Sequence, residues 1–168
     1  MTYSIPVILR ECLPITDTSE VMDEGVKLVI ENWYDLSEKC GGVPVWSTDF
    51  AMQNAGVISR TVMYDSSGDE IDMAMIGDQC REFIGLEKSK GLLKDLMPDV
   101  NISDIVNRIN VCTEQRAPNY CLKSMSWNHG KDFLKYEVAF LPFLRNDGVE
   151  PTWFFSTLAF HFDEHICP

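Results

Sequence analysis

Residues 152–162 read TWFFSTLAFHF, and both the odd and the even positions of this run carry large apolar side chains. One set is Trp153, Phe155 and Ala159, and the alternating set is Phe154, Leu158, Phe160 and Phe162. Consecutive strand residues point to opposite faces of a sheet, so a strand that is apolar on both sides needs cover on both. The run therefore predicts a sheet with a layer of structure on each face.

The neighbouring segments extend this sheet. Residues 119–127 and 133–144 have the two-residue period of strands, and Asn128-His129-Gly130 and Asn146-Asp147-Gly148 separate them from each other and from the final run. Because strands that are joined by tight turns run antiparallel, the last third of the chain predicts three antiparallel strands.

An earlier pair of strands is predicted around a turn. The stretch from Val57 to Tyr64 is rich in β-formers, residues 65–69 read DSSGD, and Ile71, Met73 and Met75 then alternate with polar or small neighbours. This pattern predicts a hairpin and brings the sheet to five strands.

The segment between the hairpin and the last strands changes period. Residues 78–116 contain apolar residues at steps of three and four, which predict a block of short helices that crosses one sheet face. Near the start of the chain, Asp17 and Glu20 have the spacing of a helix cap. We predict an amphipathic helix over about 18–36, which covers the other face with the following apolar stripe: Met22, Val26, Val29, Trp33 and Leu36.

Composition places the chain among globular proteins. It has 168 residues, of which 45% are hydrophobic and 24% charged, so we predict a single domain over 1–168 with its core at about 50–162. The net charge of −12 disfavours binding to nucleic acid or to anionic membrane surfaces, because both are negatively charged. No signal peptide or membrane-spanning run is evident, so we expect a cytoplasmic protein. We expect its six cysteines to be free thiols.

Short motifs in this order resemble a family of PAS domains. The first group is Trp33, Gly41-Gly42, Pro44 and Asp49-Phe50; the second is Ile76-Gly77, Gly85, Ser89, Gly91 and Leu92-Leu93-Lys94-Asp95; the third is Glu137, Leu141-Pro142-Phe143, Asn146-Asp147-Gly148 and 153–160. Together they are similar to the short, stand-alone PAS proteins of alphaproteobacterial type over about residues 20–162. The resemblance implies an α+β fold whose five-stranded antiparallel sheet has the order 2-1-5-4-3, with helices on one face and an N-terminal helix on the other.

The residues that bind flavin or haem in PAS domains are missing or misplaced in this sequence. Residues 77–84 resemble the flavin-reactive element of light sensors, but Glu82 is inserted and the segment directly follows a strand. We interpret Cys80 as a core cysteine at a helix start, where the helix dipole would lower its pKa. The helix predicted over 101–115 lacks a haem-ligating histidine, and His161 and His165 are too far apart on a strand to share a metal ion. We expect no flavin, haem or zinc.

The resemblance suggests a ligand cavity between sheet and helices. An apolar small molecule with one or two polar groups would suit a lining of Met and aromatic side chains. The candidate pocket residues are Met73, Met75, Met125, Trp127, Tyr136, Phe140, Trp153 and Phe155.

Three hypotheses for function follow. The first is a non-catalytic, stand-alone PAS-like sensory or regulatory module that binds a small ligand or a signalling protein, because no catalytic motif is evident. The second is a small curved-sheet cone enzyme of the isomerase type, which a buried acid on one of the last three strands would favour. The third is a purely structural adaptor with a filled core. We also expect a homodimer, with Met22, Val26, Val29, Trp33 and Leu36 contributing to its interface.

Overall fold

The computed structural model describes residues 8–124, 134–146 and 148–162. The strands are β1 (Ile8–Pro14), β2 (Thr61–Asp65), β3 (Asp72–Ile76), β4 (Gly91–Leu92), β5 (Asn119–Ser124), β6 (Leu134–Phe143) and β7 (Trp153–Phe162). The helices are α1 (Glu24–Cys40), α2 (Thr48–Gln53), α3 (Asp78–Ile84), α4 (Leu93–Leu96) and α5 (Asp99–Gln115). This α+β composition agrees with the sequence.

All seven strands form one sheet in the order β1-β5-β6-β7-β2-β3-β4. Every neighbouring pair in it is antiparallel. The expected count of five strands is therefore wrong, because β1 adds to one edge, beside β5, and the two-residue β4 adds to the other. The remaining five strands correspond to the predicted ones and lie side by side as β3-β2-β7-β6-β5.

The element before β2 also differs from the prediction. Ala55–Arg60 forms a 3-10 helix, and β2 begins only at Thr61. The Thr61 hydroxyl donates a hydrogen bond to the Val57 carbonyl over 2.8 Å, which closes this turn against the start of the strand. Val57 and Ile58 thus pack against the core from a helical turn. Tertiary contacts here override the weak preference of these two residues for a strand.

Helix α1 begins and ends later than the predicted 18–36. Its N-cap is Asp23, whose carboxylate accepts the Val26 N–H over 2.9 Å, and its C-cap is Gly41 at a φ of 78°. Glycine adopts this left-handed conformation without steric cost. The predicted cap, Asp17, instead caps the short 3-10 turn Thr18–Glu20.

The core is divided between the two faces of the sheet. On the face we call the helical-block face, the segment from α3 to α5 contributes Cys80, Leu93, Met97, Ile105, Ile109 and Cys112. On the α1 face, α1 and α2 pack Val26, Val29, Ile30, Trp33 and Phe50 against the sheet. The two-sided cover that residues 152–162 predicted is confirmed, since Phe154 is buried on the first face and Phe155 on the second.

Gly77 joins β3 to α3 where no larger residue fits. A Cβ atom at this position would lie 2.4 Å from the Ile58 carbonyl oxygen and 2.5 Å from that of Ser59. Because both obstacles are backbone atoms, the clash could not be relieved by a side-chain rotation. This close approach holds the start of α3 against the 3-10 helix that precedes β2.

Candidate functional site

The eight predicted pocket residues do not line one pocket. Met73, Tyr136 and Phe140 are buried on the helical-block face, whereas Met75, Trp153 and Phe155 pack on the α1 face. Met125 and Trp127 lie outside the described residues. The six that can be placed therefore do not share one lining, although Tyr136 and Phe140 both line a cavity on the helical-block face.

A bulge explains why Met73 and Met75 separate. In the pairing of β2 with β3, Met63 lies opposite Met75 and Tyr64 opposite Met73, so Ala74 is the extra residue. Residues two apart on a regular strand share a face, and one extra residue reverses that relation. A two-residue period read from sequence alone cannot show such a bulge.

A cavity of about 50 Å³ lies between the sheet and the helical block. Part of its wall is apolar, with Val62, Ile105, Val138, Phe140, Leu158 and Phe160. The rest is polar, with Tyr64, Asn101, Asp104, Arg108, Tyr136 and Ser156. Since a single water needs about 10–15 Å³ by this measure, the cavity has room for a few waters or a group of similar size.

Two buried cations share one carboxylate at the polar wall. Arg108 and Lys123 are each only 3% exposed, and both contact Asp104. The Arg108 Nη2 atom lies 2.6 Å from Asp104 Oδ2 and also donates to the Tyr136 hydroxyl over 3.3 Å. The three side chains carry a formal net charge of +1.

The electrostatics of Lys123 reflect this crowding. Burial lowers its pKa, as does the nearby Arg108 guanidinium, while the hydrogen bond and the charge of Asp104 act in the opposite direction. One carboxylate therefore offsets only part of the cost of keeping two cations out of water. Arg108 also lies over the rings of Tyr136 and Phe140, 5.9 and 5.7 Å from their centroids, which partly compensates its burial.

Three polar atoms of the cavity wall are buried without a hydrogen-bond partner in the described part of the chain: Arg108 Nε, Asn101 Oδ1 and Ser156 Oγ. Ser156 lies on the central strand β7 and pairs with Val62 on one side and Phe140 on the other. An unsatisfied buried polar group is costly, and native structures contain few of them. Three such atoms in one small cavity are therefore unusual, and each can still donate or accept a hydrogen bond.

An open groove of about 400 Å³ adjoins this cavity on the outside. Ile84, Met97 and Asn101 line both spaces, so the groove meets the cavity between the end of α3 and the start of α5. The groove is also lined by Leu86, Leu96, Pro98 and Asp95. A small molecule could reach the polar wall by this route.

The thiols near this face are not activated. Cys80 is fully buried, and burial raises its pKa to about 12. The expectation that the helix dipole would lower this pKa is wrong, because desolvation disfavours the thiolate more than a helix of seven residues can favour it. Burial also raises the pKa of Cys112.

The expectation of free thiols throughout is wrong as well. Cys40, Cys80 and Cys112 are free, but Cys121 is disulfide-bonded. Disulfides are uncommon in a reducing cytosol, so this bond weighs against the cytoplasmic expectation, which stays a prediction. Among the described residues, no helix is both long enough and apolar enough to cross a bilayer.

A second buried charge lies on the opposite face. Glu137 of β6 is 0% exposed and accepts four hydrogen bonds. Its partners are the N–H groups of Met22 (2.7 Å) and Asp23 (3.0 Å), the Tyr120 hydroxyl (2.5 Å) and His161 Nε2 (2.6 Å). Glu137 thereby ties the segment before α1 to the middle of the sheet.

The residues expected at a dimer interface serve the core of the chain itself. Val26, Val29 and Trp33 are at most 2% exposed, and the Trp33 indole donates to the Pro142 carbonyl over 2.8 Å. Leu36 packs at the edge of the same cluster, and only Met22 is largely exposed. The first three are not available to a second copy, because the chain has already buried them.

The histidines give no metal centre in the described part of the chain, where no three His, Cys, Asp or Glu side chains converge. His161 contacts Glu137, and His165 lies outside that part. No protein-family model, curated protein or solved structure matches this chain. The case for a function therefore rests on the cavity.

Sequence reasoning missed most of the polar wall, namely Asn101, Asp104, Arg108 and Ser156. It also missed Lys123, which contacts Asp104 but does not line the cavity. One signal was present, since Asn101 and Arg108 recur with Ile105 and Cys112 at steps of four, three and four on α5. Polar residues within the buried stripe of a helix are unusual and mark a polar contact. Lys123 and Ser156 carried no comparable signal, because one buried polar residue on a strand looks the same as an exposed one.

Proposed function

We propose that this chain is a PAS-like sensory or regulatory module, non-catalytic, that binds a small ligand between its sheet and the helical block. The observation that carries the proposal is the cavity in which Arg108, Asn101 and Ser156 each keep a buried polar atom without a partner. A ligand with matching polar atoms would satisfy them, and the apolar remainder of the wall would bury its carbon atoms.

The arrangement of strands supports the PAS-like part of this proposal. The five predicted strands are β2, β3, β5, β6 and β7, and along the chain they can be renumbered 1 to 5. Their order in the sheet, β3-β2-β7-β6-β5, is then 2-1-5-4-3. The α3–α5 segment connects the second and third of these strands across one face. Strands β1 and β4 would be additions at the two edges.

One observation favours the cone-enzyme alternative, and another disfavours it. Glu137 is a buried acid on one of the last three strands, a feature that would favour this hypothesis. However, it faces α1 rather than the cavity, and its oxygens accept two backbone N–H groups and two side chains. A carboxylate that is so fully engaged supports a structural role over acid–base chemistry. The adaptor hypothesis is weakened by the existence of a polar cavity.

A regulatory module of this size needs a partner for its output. A signalling protein or a second copy of the chain would serve, and the homodimer stays a prediction. Helices α1 and α2 already cover the outer sheet face, which leaves less apolar surface for a second copy to bury. The large exposed apolar side chains that remain among the described residues, such as Leu28, Met52 and Val149, are single positions rather than the predicted stripe.

Native mass spectrometry of freshly purified protein tests the proposal. We expect a bound small mass that is released on denaturation, and the same spectrum reports the oligomeric state. Ser156→Val would place two methyl groups in the cavity and remove its hydroxyl, so we expect the bound mass to disappear. Ser103→Val, at an exposed site on α5, is the matched control and should keep it.

Two results would contradict the proposal. One is a bound mass that Ser156→Val does not remove. The other is an empty wild-type protein that also shows no response of its cavity residues to any compound in a small-fragment screen.

A further inference from the structure

The charged cluster at the cavity wall has one positive charge in excess: Asp104 and Arg108 line the cavity, and Lys123, which does not line it, contacts Asp104. Arg108 and Lys123 are both 4% exposed at their side chains, and Asp104 is the only carboxylate that contacts either among the described residues. Two cations and one anion leave +1 in a place with little water. Buried charge without a counterion costs several kcal/mol, and an anion that enters the cavity would remove that cost.

Two of the three unpartnered atoms can donate a hydrogen bond to an anion. Arg108 Nε–H can only donate, and the Ser156 hydroxyl can donate as well as accept. Both line the same small space, so a pair of anionic oxygens can accept from both. Burial raises the pKa of Tyr64, which also lines the cavity, so its hydroxyl keeps its proton and stays a donor.

Size and charge limit the anion further. A cavity of about 50 Å³ accepts a carboxylate with few carbon atoms but excludes a bulky group. The single excess charge matches a monoanion. A second negative charge would have to lie in the groove, where Asp95 is found, on a protein whose net charge is −12.

The groove has the character to hold an apolar end. Ile84, Leu86, Leu96 and Met97 line it, and it meets the cavity beside Asn101. A ligand whose carboxylate contacts Arg108 could therefore extend a short hydrocarbon tail outward. The unpartnered Asn101 Oδ1 at the junction is an acceptor, so it offers a contact for a donor substituent, such as a hydroxyl, close to the carboxylate.

We infer that the ligand of this module is a short-chain monocarboxylate, held by Arg108 and Ser156 at the polar wall, with its apolar tail toward the groove. This inference rests on the proposed function, because it names the ligand class of the same cavity. Lys123 would take part indirectly, since an anion beside Arg108 offsets the repulsion that now disfavours its charged form.

The test follows the side-chain Nε–H resonance of Arg108 in ¹⁵N-labelled protein during titration with sodium propionate. We expect this resonance to shift and to saturate with a dissociation constant of roughly 1 mM or tighter. Arg108→Met identifies the resonance by its absence and should weaken binding, followed on neighbouring amides, by at least about tenfold. Ser156→Ala should weaken it about three- to tenfold. Arg116→Met, at the exposed end of α5, is the control and should bind as the wild type does.

Other probes separate this inference from the proposed function. Propionamide has the shape of propionate without the charge, and equal binding of both in the cavity would overturn the carboxylate while leaving a ligand-binding module. Equal shifts with sodium chloride would mean an adventitious ion only and would overturn the inference. If none of these probes moves the Arg108 signal, and a fragment screen moves none of the cavity amides, the cavity holds only water and both proposals fail.

Discussion

Two buried charges of very different kinds meet at neighbouring residues of β6. One is the Glu137 carboxylate, and the other is the Arg108 guanidinium, which contacts Tyr136. Glu137 faces α1 and receives four hydrogen bonds, so its carboxylate is fully satisfied by the chain. Tyr136 faces the helical block, where Arg108 donates to its hydroxyl but keeps another N–H without a partner. The first arrangement is typical of a charge that holds a fold together. The second is typical of a site that is completed by another molecule.

We expect the largest loss of stability for Glu137→Ala. The change would leave two backbone N–H groups, the Tyr120 hydroxyl and His161 without their acceptor, and it would free the segment before α1. We expect the free energy of unfolding to fall by about 3–5 kcal/mol, measured by urea denaturation. Glu150→Ala, at an exposed loop position, should change it by about 0.5 kcal/mol or less. A loss under about 1 kcal/mol for Glu137→Ala would remove its role as an anchor.

Alkaline pH should destabilise the folded protein through two buried thiols on the helical-block face, Cys80 and Cys112. The pKa of Cys80 rises from 9.0 to about 12, and burial raises that of Cys112 as well. Above the pKa of a free thiol, the unfolded chain loses protons that the folded chain keeps, so stability falls as pH increases. Each thiol lowers the free energy of unfolding by about 1.4 kcal/mol per pH unit in this range. For both thiols the loss is about 3 kcal/mol near pH 10.

Urea denaturation between about pH 8 and pH 10 measures this slope. The Cys80→Ala, Cys112→Ala double variant should lose most of it, whatever its stability at neutral pH. Lys123 acts in the opposite sense, because its lowered pKa favours the folded state as pH rises. An unchanged slope in the double variant would contradict the assignment of the pH dependence to these thiols.

Much of the fold followed from sequence patterns because those patterns reflect burial. The doubly apolar run in β7 predicted cover on both faces, and the turns predicted antiparallel pairing of the neighbouring strands. Strand β1 was missed because residues 8–14 read ILRECLP, whose charges and proline suit an edge but give no clear alternation. The start of α1 was misplaced because Asp17 and Asp23 are both competent caps, and the contact of residues 22 and 23 with Glu137 decides between them.

The site was less predictable because its parts come from distant segments. Asp104 and Arg108 on α5 have the spacing of an ordinary surface pair, and only the packing of α5 on the sheet brings Lys123 to the same carboxylate. Ser156 is one hydroxyl in a hydrophobic strand. The bulge at Ala74, which separates Met73 from Met75, depends on the register between two strands. None of these relations has a period that a sequence can display.

A smaller effect, of opposite sign, is expected for Ser156→Ala. Ser156 is 1% exposed, and its hydroxyl has no hydrogen-bond partner among the described residues. Removing this hydroxyl therefore leaves no other polar group without a partner. We expect ligand-free protein to gain about 1 kcal/mol in unfolding free energy. Thr157→Ala on the same strand is the contrasting control, because the Thr157 hydroxyl lies 3.0 Å from that of Thr61, and its removal should destabilise the protein. A loss for Ser156→Ala equal to that for Thr157→Ala would mean that the Ser156 hydroxyl is satisfied.

If Glu137 stabilises the fold and Arg108 binds a ligand, substitutions of the two residues should differ in their effect on stability. The decisive measurement is the free energy of unfolding of Arg108→Met in extensively dialysed protein. Methionine keeps much of the apolar volume, Asp104 keeps Lys123 as its partner, and the excess charge disappears. We expect a change within about 1 kcal/mol of the wild type, or a gain. A loss of about 3 kcal/mol or more, comparable with that of Glu137→Ala, would show that Arg108 is a structural charge and not a ligand contact.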